Sequence, residues 1–315
     1  MMIAGPAGRA ARIEAGTEGL PEAMPAEAQR MADRDLEVNR RPEGKGAEPI
    51  PGGAGMTART GFITGTGLYT LPGIVGARPQ TLATPYGEVA IELGTLGGRD
   101  VVFIPRHGKG HTISPGEINY RGNIWAMRAL GVERILATSV SGSLVPAWAP
   151  GALVLVDQFL NFTSGRADTF YPTDGKLAHV DVTDPYCRTL REQLTASAAN
   201  LRIPLASGAT YACMNGPRFE TRAEVEMVRR LGGHLLGQTN YPECVLAREL
   251  AICYATVGVV SNLAAGMQSS VTATEVRENL KRCAGAIGDL FAAFVREHPE
   301  HGDCACRHAL DHAEL

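Results

Sequence analysis

The sequence predicts an α/β fold, in which helices flank a largely buried β-sheet. From Gly61 onward, short β-like runs alternate with longer segments of helical periodicity. Several of the β-like runs are almost continuously apolar, as expected of strands covered on both faces. Small polar residues also gather where strands end, which is the place where ligands collect in open α/β sheets.

The predicted domain spans residues 60–315 and is preceded by an extension. Residues 1–59 contain no Phe, Tyr, Trp or Cys and are rich in Ala, Gly, Pro, Glu and Arg. Such a segment buries too little apolar area to offset its ordering entropy, so we expect residues 1–59 to be disordered. It lacks the apolar core of a signal peptide, and its acidic residues make it a poor transit peptide. Met56 is therefore a candidate for the true start.

Each predicted element follows from hydrophobic periodicity and turn residues. The expected strands are 62–64, 89–93, 101–104, 135–139, 153–157, 210–213 and 254–261. The expected helices are 119–130, 184–200, 221–231, 243–252 and 272–297. In the last of these, Val276, Leu280, Ile287 and Leu290 recur at mostly helical spacing, so we expect that helix to pack on the sheet.

Composition excludes several function classes. The chain of 315 residues is 44% hydrophobic and 20% charged, with a net charge of -3. This balance gives no electrostatic footprint for nucleic acid or an anionic membrane. The seven cysteines are odd in number and lie mostly in apolar segments, which argues against a secreted disulfide framework and predicts the reducing cytoplasm.

The most informative motif runs from Pro105 to Thr112. It follows the apolar run 101–104 and contains Arg106 and His107. A guanidinium offers planar, fixed donors, so this pair at the end of a strand suits an oxyanion such as phosphate.

Three clusters of small polar residues support a ligand site. Gly65-Thr66-Gly67 follows the first strand, but Thr70 stands where a dinucleotide fingerprint needs a third glycine, and the lysine of a P-loop is missing. Residues 139–143 and 238–240 form the other two clusters. Together with the arginine and histidine of the previous motif, they predict a pocket at the strand ends.

Aromatic and carboxamide side chains suggest what the pocket holds. Phe219 can stack on a flat ring, and Glu220 can accept from ring N–H groups; alternatively, these are a core phenylalanine and a glutamate that favours a helix dipole. Asn262 follows an apolar strand and could offer both a donor and an acceptor to a purine edge.

These motifs resemble the trimeric nucleoside phosphorylase family, from Gly61 to the C-terminus. The matching segments are Gly65-Thr66-Gly67-Leu68, Arg106-His107-Gly108 with His111, INYRGNIWAMRALG at 118–131, GPRFET at 216–221 and PECVLARELAICYA at 242–255. The resemblance implies a single-domain phosphorylase/hydrolase-like fold with a mixed central β-sheet, a homotrimer, and phosphate as co-substrate without a cofactor.

The resemblance also implies a role for each site residue. The phosphate would be held by Thr66, Arg106, His107, Ser139, the backbone at Val140, and Thr239. Phe219 would pack on the nucleoside, and Glu220 and Asn262 would read the purine. Gln238 stands where the family usually has a methionine under the ribose. The 5′ pocket would be lined by Val271, Ala273 and Val276, with His179 reaching in from a neighbouring subunit.

The base-reading positions favour a 6-oxopurine. Methylthioadenosine enzymes of the family use aspartates where this chain has Asn262 and Ala264, whereas Glu220 with Asn262 resembles the pair of 6-oxopurine enzymes. With an apolar 5′ pocket, the expected substrate is 5′-methylthioinosine. The C-terminal tail instead resembles methylthioadenosine phosphorylases, so 5′-methylthioadenosine and inosine or guanosine remain alternatives. A nucleosidase that uses water and a non-catalytic nucleoside-binding protein are further alternatives.

We expect no metal. Cys304 and Cys306, with His301 and His308 nearby, fit no common zinc spacing.

Overall fold

The computed structural model describes residues 59–171, 177–270, 272–300, 302–311 and 313. Residues 1–58, including the proposed start at Met56, lie outside this part. The strands are β1 (Thr60–Thr64), β2 (Val75–Thr84), β3 (Gly87–Leu96), β4 (Arg99–Pro105), β5 (Arg134–Ser143), β6 (Leu153–Phe162), β7 (Leu205–Met214), β8 (Leu235–Gly237) and β9 (Cys253–Leu263). The helices are α1 (Tyr120–Ala129), α2 (Arg188–Leu201), α3 (Arg222–Arg230), α4 (Asn240–Glu249), α5 (Ala273–Glu297) and a short 3₁₀ helix (Ala305–His308).

The strands form one mixed sheet in the order β2-β3-β4-β1-β5-β8-β7-β6-β9. β1 runs parallel to β4 and β5, whereas β2, β3 and β4 are antiparallel. β9 pairs with both β5 and β6, so β5, β8, β7, β6 and β9 close into a ring. The carboxyl ends of β1, β4, β5 and β9 therefore lie at the same edge.

Helices cover both faces of the sheet, as an α/β fold requires. Neighbouring residues of β1 point to opposite sides: Ile63 packs with α1 and α4, whereas Phe62 packs with α2 and α5. The apolar positions predicted for the last helix are buried, with Ile287 and Leu290 fully so. The predicted fold class is confirmed.

Two strands were not predicted. β2 is exposed along most of its length and contains Pro79, so it lacks the apolar alternation that marks a strand. It is held by antiparallel pairing with β3. β8 has only three residues, Leu235–Gly237, which is too short for a periodic signal. Among the described residues, no helix is long and apolar enough to cross a membrane.

Candidate active site

A cavity of about 530 Å³ opens at the carboxyl edge of the sheet. It lies where Thr66 follows β1, Arg106 follows β4, and Asn262 is the penultimate residue of β9. Eleven residues predicted from the sequence line it: Thr66, Arg106, His107, Val140, Phe219, Glu220, Gln238, Thr239, Asn262, Ala264 and Val276. Distant segments thus meet in one pocket of the size that holds a small molecule.

Arg106 is held by a buried ion pair. Its Nε donates to Glu243 Oε1 over 2.6 Å, and its Nη2 donates to Glu243 Oε2 over 2.7 Å. Its Nη1 also donates to the carbonyl oxygen of Thr138 over 2.7 Å. Burial opposes the positive charge, but the Glu243 carboxylate outweighs it, so the pKa of Arg106 is raised. Two of the five guanidinium N–H groups remain for an anion in the cavity.

This arrangement corrects one expectation about Arg106. From its position at a strand end, we expect its guanidinium to contact a ligand rather than the core. The exclusion of a core role is wrong, because Arg106 and Glu243 are both almost fully buried and paired with each other. The predicted contact of Arg106 with a ligand stays a prediction. Arg106 lines the cavity and is at the same time a structural group.

A small residue at position 65 keeps the cavity open beside Arg106. A Cβ atom at Gly65 would lie 3.0 Å from Arg106 Nη1 and 3.4 Å from a ring carbon of His107. A side chain here would crowd the two groups best suited to hold an anion. The Gly65-Thr66-Gly67 segment is therefore more than a tight turn.

His107 is a neutral acceptor towards the cavity. Its Nδ1 lies 2.9 Å from the carbonyl oxygen of Ile113, which can only accept, so Nδ1 carries the proton and Nε2 has a free lone pair. Burial lowers the pKa of His107 to about 4, and the neighbouring Arg106 charge acts in the same direction. At neutral pH, His107 can accept a hydrogen bond from a monoprotonated phosphate.

Ser139 lies behind the cavity rather than among its lining residues. Its hydroxyl donates to the Tyr211 hydroxyl over 2.9 Å, and the backbone N–H of Thr239 donates to the same oxygen over 3.3 Å. Tyr211 thus connects two of the three predicted polar clusters. The predicted phosphate contact of Ser139 stays a prediction.

The loop that carries Phe219 and Glu220 is fixed by the start of α3. Thr221 is the N-cap, accepting from the Glu224 N–H, while the Glu224 carboxylate accepts from the Thr221 N–H over 2.7 Å. Glu224, not Glu220, is therefore the acidic residue of the first turn. Glu220 is left to line the cavity, and the Phe219 side chain is 49% exposed rather than part of the core.

Asn262 lines the cavity with a carboxamide that two hydrogen bonds hold in place. Its Oδ1 accepts from the Ser261 hydroxyl over 2.6 Å, and its Nδ2 donates to the Leu263 carbonyl oxygen over 2.8 Å. One N–H of the carboxamide remains for a ligand. Gly142 lies next to it, and a Cβ there would be 3.3 Å from Asn262 Nδ2.

Gln238 contacts Glu220. Burial raises the pKa of Glu220, and a hydrogen bond from the Gln238 side chain partly opposes that rise. Gln238 Nε2 also donates to the Arg218 carbonyl oxygen over 3.1 Å. Gln238 therefore supports the ionised form of the Glu220 carboxylate.

The pKa of Glu220 predicts a pH dependence. Because the raised pKa means that Glu220 is protonated at a higher pH than an ordinary glutamate, kcat/KM for a 6-oxopurine nucleoside should fall as the pH falls through that value. Gln238→Met should move the fall to still higher pH, and Glu220→Gln should abolish it. A pH profile of kcat/KM for the three proteins checks this. An unchanged acid limb in Glu220→Gln would assign the titration to another group.

Of the residues predicted for the 5′ pocket, one lines the cavity, and their role at the 5′ position stays a prediction. Val276 lines the cavity, Ala273 is the first residue of α5, and Val271 lies outside the described residues. Polar side chains that the sequence analysis did not assign to the pocket also line the cavity: Tyr69, His111 and Arg277. The lining is thus less apolar than expected.

His179 does not line the cavity of its own chain. It is exposed, and its backbone N–H donates to the Ala313 carbonyl oxygen over 2.8 Å. Its predicted contact with a neighbouring subunit stays a prediction.

Comparisons with known proteins agree with this geometry. Residues 59–296 match the phosphorylase superfamily. The chain belongs to this family. It is 46% identical over 259 residues to the 6-oxopurine nucleoside phosphorylase of Pyrococcus furiosus, covering 80% of this chain and 97% of that protein. It is 45% identical over 257 residues to a probable S-methyl-5′-thioinosine phosphorylase of Methanopyrus kandleri, covering 81% and 98%.

A solved structure shows the same fold. The chain superposes on a methylthioadenosine phosphorylase from an antarctic soil metagenomic library with a TM-score of 0.77 and 35% identity, covering 82% of this chain and 93% of that one. The predicted family and activity class are confirmed, since these phosphorylase family relatives carry the names of purine and methylthio-nucleoside phosphorylases.

Proposed function

We propose that this phosphorylase family member cleaves 5′-methylthioinosine with inorganic phosphate, giving hypoxanthine and 5-methylthioribose 1-phosphate. The observation that carries the proposal is that Glu220 and Asn262 line the same cavity as Arg106 and His107. The first pair can read a 6-oxopurine and the second can hold an anion, so both reactants fit in one pocket. No cofactor is required by this chemistry.

The phosphate end of the cavity acts by positioning and electrostatics. Arg106 offers its two remaining N–H groups and Thr66 its hydroxyl, while His107 Nε2 accepts a hydrogen bond from the protonated oxygen of the phosphate. A phosphate held beneath the sugar stabilises the oxocarbenium character that develops at C1′, and then bonds to that carbon. Preorganised donors of this kind are worth about 10²-fold or more each.

The base end of the cavity accepts the departing electrons. When the bond between C1′ and N9 breaks, its electron pair passes into the purine, and N7 gains charge. The free N–H of Asn262 can donate to N7, while the Glu220 carboxylate accepts from N1–H. The nucleophile is the phosphate itself, so no covalent enzyme intermediate forms.

Phosphate dependence separates the proposal from its alternatives. Incubation with 5′-methylthioinosine should release free base only when phosphate is present. Release without phosphate would indicate a nucleosidase, and no release under either condition would indicate a nucleoside-binding protein. The two open N–H groups of Arg106 favour the phosphate-dependent reaction, because a phosphate anion is stabilised by a buried positive charge and a neutral water nucleophile does not require one.

We also propose a cytoplasmic homotrimer that serves purine salvage, with His179 completing a neighbour's site. His179→Ala should then lose activity, and so should Asn262→Ala. Co-expression of the two variants should restore part of it, because an intact cavity can take His179 from its neighbour. Light scattering should give a trimer. Activity in a monomer, or no recovery in mixed assemblies, would refute the shared site.

A further inference from the structure

Four cysteine sulfurs converge outside the cavity, where the C-terminal tail packs on the sheet. The Sγ atoms of Cys187, Cys253, Cys304 and Cys306 all lie within 4.8 Å of one another. The Sγ atom of Cys304 is 3.0 Å from that of Cys253 and 4.0 Å from that of Cys187. None of the four is in a disulfide.

The fold places these sulfurs rigidly. Cys253 is the first residue of β9, and Cys187 is the N-cap of α2. The backbone N–H of Cys187 donates to the Tyr254 carbonyl oxygen over 2.8 Å, which ties the start of α2 to β9. Cys304 and Cys306 come from the 3₁₀ helix of the tail and its N-cap. Three separate parts of the chain thus bring their cysteine sulfurs together.

The spacing of the sulfurs suits a tetrahedral ion. Four thiolates at about 2.3 Å from zinc lie roughly 3.8 Å apart, and the two distances to Cys304 fall on either side of that value. Thiols are weak hydrogen-bond donors, so mutual bonding gives little reason for four of them to gather. We propose that Cys187, Cys253, Cys304 and Cys306 bind one zinc ion in a structural site.

The surroundings can support thiolate ligands. The N-terminus of α2 at Cys187 favours a negative sulfur. On binding, each thiol releases its proton to solvent and the sulfur forms a bond to the metal. No redox step is involved.

The sequence expectation of no metal weighed a different set of ligands. It considered Cys304 and Cys306 with the nearby histidines, of which His301 lies outside the described residues. The His308 ring is instead hydrogen-bonded to two carboxylates, with Nε2 at 2.8 Å from Asp303 Oδ1 and Nδ1 at 2.9 Å from Asp311 Oδ2. The two further ligands are supplied by Cys187 and Cys253, which are remote in sequence.

A zinc ion here would clamp the tail to the body of the fold. The tail also supplies the Ala313 carbonyl oxygen that accepts from the backbone N–H of His179. The clamp therefore stabilises the segment that carries His179. This inference does not depend on which nucleoside the cavity binds.

Metal content tests the proposal directly. The full chain is expressed in zinc-supplemented medium, purified with reductant, and analysed by inductively coupled plasma mass spectrometry. We expect about one zinc per chain, and visible bands of tetrahedral thiolate coordination when cobalt replaces zinc. Removal of the zinc should lower the Tm by on the order of 5 °C. The thiol count after denaturation should be seven, the number of cysteines in the chain.

A matched variant separates loss of the zinc site from the effect of replacing any buried cysteine. Cys304→Ser/Cys306→Ser should lose the zinc. Cys283→Ser should keep it, because Cys283 is also buried but donates to the Gly151 carbonyl oxygen elsewhere in the fold. Wild-type protein with seven thiols and no zinc would overturn the proposal. So would a loss of four thiols, which would show two disulfides instead.

Discussion

Of the three nucleosides 5′-methylthioinosine, 5′-methylthioadenosine and inosine, the first should be cleaved with the highest kcat/KM. Glu220 can accept from the N1–H that a 6-oxopurine carries, whereas adenine presents a lone pair at N1 to the same carboxylate. A mismatched polar contact in a buried pocket costs about 1–3 kcal/mol, or roughly 5- to 150-fold in specificity. The kcat/KM for 5′-methylthioinosine should therefore exceed that for 5′-methylthioadenosine by a factor within that range.

Asn262→Asp tests whether the second residue of the proposed base-reading pair, Glu220 and Asn262, sets the substrate preference. The free N–H that Asn262 can give to N7 or O6 is replaced by an acceptor, which suits the 6-amino group of adenine. The ratio of kcat/KM for methylthioinosine over methylthioadenosine should fall about tenfold or more. Asn161→Asp is the matched control, because Asn161 is exposed and only accepts, from the Thr163 N–H and hydroxyl. That variant should leave the ratio unchanged.

Each unexpected ranking points to a different error. If methylthioadenosine is cleaved fastest by the wild type, the reading of Glu220 and Asn262 is wrong. If inosine is fastest, the error lies at the 5′ end. His111 and Arg277 then become the candidates for binding the 5′-hydroxyl, since both line the same cavity as the apolar Val276.

The sequence predicts those parts of the site that depend on local motifs. The carboxyl ends of parallel strands meet at one edge of a sheet, so Thr66, Arg106 and Asn262 could be placed together from the sequence. The family resemblance assigned phosphate contacts to Val140 and Thr239, which lie in the two other polar clusters. Most helices were predicted within a few residues because their apolar faces recur over several turns.

The remaining parts depend on pairings between distant residues. Glu243 lies within a helix segment and gives no local sign that it pairs with Arg106, 137 positions away. Tyr211, which connects Ser139 and Thr239, is one aromatic residue among several in apolar strands. The cysteine cluster likewise appears only when the tail folds onto β9. Such contacts are set by tertiary packing, which periodicity and turn signals do not specify.

Arg106→Ala should remove both phosphate use and a large part of the stability. Loss of the guanidinium should lower kcat/KM for phosphate by about 10²-fold or more. It also leaves the Glu243 carboxylate buried without its ion-pair partner, which costs about 3–5 kcal/mol. Steady-state kinetics with varied phosphate and urea unfolding would measure the two effects. Wild-type phosphate kinetics would refute the anion site, and an unchanged unfolding midpoint would refute the structural role of the pair.

A second variant separates the two roles of Arg106. In Arg106→Met/Glu243→Leu, apolar side chains of similar size replace the whole ion pair, an exchange that is often neutral or stabilising for buried pairs. The Tyr254 hydroxyl, which donates to Glu243, can still donate to Asn240 Oδ1. Stability should therefore recover towards the wild-type value while phosphate use stays lost. Recovery of both would mean that the cavity needs only the correct packing at position 106, and that another group binds the phosphate.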